Sequence, residues 1–108
     1  MTDIEKKIVN FLEDKKAENI EYYNLVGKNP FFDSVIVCTA LNTRQLESLA
    51  DNLEDYLAQE NHPIHYIDGT KESGWLVVDG YDVIVHIFSV SERERVNLDE
   101  LLASISDK

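Results

Sequence analysis

The chain has 108 residues, 44% hydrophobic and 29% charged, the composition of one ordinary globular domain with a modest core. Its formal net charge of −11 argues against docking on nucleic-acid phosphates or an anionic membrane, which needs clustered Lys and Arg; it favours a basic protein partner, or serves solubility alone. The single Cys38 allows no internal disulfide, the N-terminus shows no secretion signal and no apolar run approaches the roughly 20 residues of a membrane span, so a cytoplasmic location is expected.

Thr2 and Glu5 stand at capping-box spacing ahead of Ile4, Ile8, Phe11 and Leu12, which predicts a helix over about 3–16 with Lys15 and Lys16 near its C-terminus. Residues 19–26 read as a short strand with Ile20 and Tyr22 on one side. Residues 27–33 contain Gly27, Asn29-Pro30 and Phe31-Phe32, and read as a loop that tucks its aromatics against the body. The run SVIVCTA at 34–40 is continuously apolar, as a central strand buried on both faces requires. Asn42 and Gln45, again at capping-box spacing, open a second helix. Leu46, Leu49, Ala50, Leu53 and Leu57 line one of its faces, and Glu47, Asp51, Glu54 and Asp55 the other. Pro63 follows its end, 64–67 reads as a short strand and 68–73 as a loop.

The stretch GWLVVDGYDVIVHIF at 74–88 reads as a β-hairpin. With Gly80-Tyr81 as a two-residue loop, Gly80 takes the positive φ of a type II′ turn. Asp79 then faces Asp82, Val77 faces Ile84 and Trp75 faces His86. Alternation sorts the strands into an aliphatic face (Leu76, Val78, Val83, Val85, Ile87) and a mixed one (Trp75, Val77, Asp79, Asp82, Ile84, His86, Phe88). Opposed carboxylates destabilise a strand pair, so the mixed face is the first candidate for function. Residues 91–95 read as turn-like, and Asn97 as the cap of a last helix through Leu98, Leu101, Leu102 and Ile105. The order implies an α/β (α+β) domain over 1–108: a mixed sheet of about five strands, one pair at least parallel, with helices packed on it.

Little here resembles catalytic machinery. His62 and His65 flank Pro63 without a cysteine pair, and Asp79, Asp82 and His86 fit a partner-binding rim better than a cation site. Cys38 lies in the apolar strand, the serines lack a Gly-x-Ser-x-Gly elbow, and four isolated glycines make no phosphate cradle. His86 as a general base needs a cleft and an oriented partner; packing on the Trp75 indole is the simpler reading. Trp75 itself suits either a core or an interface anchor. No catalytic residue, metal ligand or cofactor is assigned.

Five landmarks in order carry a resemblance. They are Lys16-Ala17-Glu18-Asn19-Ile20; 33–39 with Thr43-Arg44-Gln45 and Ala50-Asp51; Asp68-Gly69; 75–88; and Glu92-Arg93 with Asn97-Leu98-Asp99. In this order and spacing the chain resembles the Iojap/RsfS family of ribosomal silencing factors over roughly 4–102. It departs from the family pattern at Ala40, at Gly80-Tyr81 (the family has Gly just before the second Asp), and at Arg95, Val96 and Leu102. The resemblance implies a nucleotidyltransferase-like topology without that enzyme's Gly-Ser motif. It further implies binding to the large ribosomal subunit through its fourteenth ribosomal protein, blocked joining with the small subunit, repressed translation and no enzymatic activity. Trp75, Asp79, Asp82, His86 and Arg93 are then expected to face the partner with Phe88 and Ile84, Arg93 alternatively holding the hairpin carboxylates within the chain. A nucleotide-binding protein and a self-associating regulator, with a homodimer through the mixed face, are the alternatives.

Overall fold

The computed structural model describes residues 1–106; the last two residues of the expected domain lie outside them. Helix α1 (Asp3–Asp14) opens on the expected capping box: the Thr2 hydroxyl accepts the Glu5 N–H, and the Glu5 carboxylate accepts the Thr2 N–H at 2.6 Å. The helix stops short of 16 because Lys16 turns to a φ of 67°. Glu5 is buried beneath the first strand, where Ser34 and Tyr22 hydroxyls donate to its two oxygens. Burial works to raise its carboxyl, but those hydrogen bonds and the Thr2 N–H outweigh it and hold the group below its ordinary value.

Strand β1 (Glu18–Asn24) is irregular at its start, where Asn19 takes a φ of 49°. In the following loop Phe32 packs on the core as expected, whereas Phe31 is 83% exposed. Strand β2 (Ser34–Ala40) is buried at every residue. Helix α2 (Thr43–Gln59) is capped by Asn42, whose side chain accepts the Gln45 N–H at 2.8 Å. Strand β3 (Tyr66–Thr70) starts later and runs further than the 64–67 expected, and a single 3₁₀ turn (Lys71–Ser73) leads into β4 (Trp75–Asp79). Strand β5 (Val83–Ser89) is followed by helix α3 (Val90–Val96) and helix α4 (Leu98–Ile105).

Residues 91–95 are thus helical, not turn-like. Ser89 accepts the Glu92 N–H at 3.2 Å, an N-cap that the polar composition of the segment hides. Asn97 joins the two last helices in a left-handed conformation (φ 50°) and makes no side-chain cap.

The sheet is mixed and five-stranded in the order β1-β2-β5-β4-β3, with β2 and β5 parallel and the other pairs antiparallel. This is the expected α+β architecture. The two most buried strands, β2 and β5, lie side by side with β5 at the centre, where both faces are covered. One face is sealed by α1 and α2: Ile8, Leu12, Leu46, Leu49, Leu53 and Leu57 pack on Ile36, Cys38, Leu76, Val78, Val85 and Ile87. Leu53 and Leu57 have no exposed surface, and truncating either to Ala should cost about 2–5 kcal/mol. On the other face Leu98 and Leu102 of α4 join Val35, Val37, Ile84 and Phe88. Trp75 and Val77 of β4 are only partly buried there, so the sheet is less fully covered toward the β3 edge.

Candidate docking surface

The hairpin register decides which side chains meet. Trp75 pairs with Phe88, Val77 with His86 and Asp79 with Ile84, a displacement of two from the expected pairing. The loop is Tyr81-Asp82: the Gly80 N–H donates to Val83 O at 3.0 Å and the Asp82 N–H to Gly80 O at 3.0 Å. The latter bond closes a γ-turn around Tyr81, whose φ of 70° is the rarer hand of that turn. Tyr81, not Gly80, therefore holds the positive φ, and Asp79 and Asp82 do not oppose each other. Because a two-residue displacement preserves the alternation, both predicted faces stand for the strand residues, while Asp82 moves from the mixed face into the turn.

Gly80 serves a different need. A Cβ there would meet Val83 O at 3.0 Å, and its carbonyl lies 3.0 Å from His62 Nε2. His62 and His65 both close on the turn: His65 donates its backbone N–H to Asp79 O at 2.7 Å and sets Nδ1 3.8 Å from Asp79 Oδ2. Among the described residues no group of three His, Cys, Asp or Glu side chains could hold a metal ion.

On the mixed face Trp75 stacks on Phe88, with centroids 4.9 Å apart and planes at 28°. Its indole N–H donates to His86 Nδ1 at 3.0 Å. That donor places the imidazole proton on Nε2. Burial, only partly opposed by Asp99, pushes the His86 pKa down to about 4, so the ring is neutral near pH 7. Asp79 is 20% exposed in its side chain, and its Oδ1 accepts the Tyr81 N–H at 2.9 Å. Asp82 is exposed at the tip, while its backbone carbonyl accepts N–H groups from Asp33 and Ser34 and anchors the turn.

Two expected contact residues lie inside the fold. Phe88 has no exposed surface, because it packs in the cluster that includes α4's Leu102. Arg93 is 14% exposed in its side chain: its Nε and one terminal nitrogen grip Asp99 at 3.0 and 2.9 Å, and the other reaches Thr39 Oγ1 at 2.9 Å and Asn19 O. It braces α4 against β1 and β2, and the hairpin carboxylates are not its partners. Tyr23 adds its hydroxyl to Asp99 at 2.7 Å. Burial works to raise the Asp99 carboxyl, but Arg93 and Tyr23 outweigh it and hold it below the usual range.

In exchange β3 brings Tyr66, Asp68 and Thr70 opposite Asp79, Val77 and Trp75, on the same face. All three are exposed. Ending that strand at 67 hid Asp68 and Thr70; the alternation Tyr66, Asp68, Thr70 was the signal, obscured by Gly69. The result is an open strip of Tyr66, Asp68, Thr70, Trp75, Val77 and Asp79, with His86 behind it and Asp82 at its end.

Fold and surface together define a small mixed-sheet α+β domain sealed by α1 and α2 on one side and open along the β3–β4 edge on the other. The family model described as ribosomal silencing factor during starvation, RsfS, matches residues 2–108. The ribosomal silencing factor RsfS of Halalkalibacterium halodurans is 30% identical over 93 residues, covering 86% of this chain and 80% of that protein. The RsfS of Haemophilus influenzae is 30% identical over 96 residues, covering 89% and 94%. A crystal structure of a Chromobacterium violaceum protein matches with a TM-score of 0.88 at 26% identity, over 98% of this chain and 87% of that one. One from Bacillus halodurans gives 0.81 at 28% identity, over 92% of each. The chain belongs to the RsfS family.

Proposed function

We propose that this protein is a translation-silencing factor that docks on the large ribosomal subunit through the fourteenth ribosomal protein and sterically keeps the small subunit from joining. It acts by occupancy, with no catalytic step and no cofactor, in the cytoplasm. Membership of a family described as silencing ribosomes supplies the coarse role. The observation that carries the docking reading is the open strip from Tyr66 to Asp82, the partly uncovered sheet surface that joins aromatic side chains to carboxylates.

A net charge of −11 repels ribosomal RNA, so the encounter must be with a basic protein patch, steered by complementary charge. Trp75, Val77 and Tyr66 supply the apolar contact. Asp82 and Asp68 meet Lys or Arg on the partner, and a neutral His86 costs little to cover. Asp79 is half committed to its own turn, so Asp82 is the cleaner carboxylate to substitute. A second copy of this chain is the competing occupant of the same strip, and a homodimer would hold it closed.

Co-sedimentation with separated ribosomal subunits tests the reading. Selective recovery with large subunits supports it, and recovery with neither, together with dimers at micromolar concentration, favours self-association.

A further inference from the structure

At the tip of the β4–β5 hairpin the His65 ring lies between two tyrosines. It stacks on Tyr81 with centroids 4.9 Å apart and planes at 17°, and meets Tyr66 edge-on at 4.9 Å and 72°. The trio is open to solvent: Tyr81 is 55% exposed, Tyr66 49%, and the His65 side chain 56%. Core packing therefore does not account for these rings. Tyr81 also holds a φ of 70°, a conformation costly to a bulky residue, so the chain keeps a strained tyrosine facing water.

One carboxylate approaches the stack, and two more stand close to it along the chain. Asp79 Oδ2 sits 3.8 Å from His65 Nδ1, Asp82 follows Tyr81, and Asp68 lies two residues beyond Tyr66 on the same side of β3. Half-exposed aromatic faces rimmed by carboxylates suit a guanidinium. That group is planar, weakly hydrated and able to stack on a ring while its N–H groups reach acceptors at the ring's edge; a compact ammonium lacks the flat face.

We propose that the hairpin tip is an arginine-recognition site: a guanidinium from a partner protein continues the stack on the Tyr81 face turned away from His65 and donates to Asp82. The inference rests on the docking reading above and extends it, since it names the partner side chain and assigns the selectivity to Tyr81. Tyr81 is a specificity residue, while Asp79 and His65 position its ring.

The test is an NMR titration of the full chain with end-capped Gly-Arg-Gly and Gly-Lys-Gly, following the Tyr81 and His65 ring signals. The arginine peptide should shift those signals at a severalfold lower concentration than the lysine peptide. Tyr81→Phe should keep the preference. Tyr81→Gly, which fits the positive φ and so leaves the hairpin folded, should abolish it. Equal response to both peptides, or a preference that survives Tyr81→Gly, overturns the proposal. On large subunits Tyr81→Gly should weaken co-sedimentation about tenfold. Undiminished binding there overturns the placement of a partner arginine at this tip. An arginine preference in the peptide titration without any wild-type binding to large subunits would instead overturn the docking reading and leave the tip as an arginine site.

Discussion

The Trp75 indole N–H donates to His86 Nδ1 across 3.0 Å, a diagonal bond between adjacent strands on the less covered face of the sheet. It fixes the indole at the surface and the imidazole in one tautomer. Trp75→Phe keeps a ring against Phe88 but leaves Nδ1 without its donor. It should lower stability by about 1–3 kcal/mol in urea denaturation, and a loss well under that would show that the bond is idle.

His86 also predicts how stability depends on pH. Its pKa falls from an ordinary 6.5 to about 4 in the fold, so between those values the unfolded chain binds the extra proton. The contribution of the neutral ring is fully present above about 6.5 and disappears as pH falls toward 4, amounting to at most about 3 kcal/mol. Glu5 and Asp99 are held below their ordinary values of 4.5 and 3.8, so their contributions fade mainly below His86's window. Urea midpoints measured from pH 7 to 4 should therefore fall for the wild type and flatten in His86→Gln. Parallel curves for the two proteins would contradict the burial of His86.

Arg93 should behave as a brace. Arg93→Met removes both bonds to Asp99 and leaves that carboxylate beside Tyr23 alone, at a cost of about 2–4 kcal/mol. Arg93→Lys should recover little, since an ammonium cannot make the two-pronged contact. The folded fraction of Arg93→Lys should still bind its partner. A variant of normal stability that fails to bind would restore Arg93 to the interface.

Gly69 sets the spacing of the open strip. Its φ is 94°, and an added Cβ would lie 2.3 Å from the Trp75 carbonyl. Gly69→Ala must therefore push β3 away from β4 beside Trp75. It should lose about 2–4 kcal/mol of stability, with a shifted tryptophan emission as the local readout. Unchanged emission and stability would contradict the close approach of Gly69 to the Trp75 carbonyl.

Much of this was legible because it depended on periodicity. The apolar run at 34–40 could only be a strand covered on both sides, and the leucines of α2 mark its buried face. The two hairpin faces followed from alternation, which a two-residue error in register does not disturb. What was hidden depended on contacts distant in sequence. Gly80 looked like the residue of unusual φ, yet its distinction is a close approach to the Val83 carbonyl that a Cβ would crowd, and Tyr81 accepts the strain. Arg93 looked available until Asn19 and Thr39 came to it from far along the chain. No local pattern could show that Phe88 lies in the cluster with α4 while Trp75, on the same face, remains at the rim. The RsfS resemblance, in contrast, rested on motifs in a fixed order and spacing, and the family match bears it out.

The claim that stands or falls first is steric silencing through the open strip. The direct measurement is subunit joining, followed by light scattering as large and small subunits are mixed with increasing wild-type protein or Asp82→Lys. The wild type should bind large subunits and suppress the joining signal in proportion to its occupancy, and Asp82→Lys, folded to the same melting temperature, should leave joining intact. A wild type that binds without suppressing joining, or an Asp82→Lys variant that suppresses it equally well, would contradict the account.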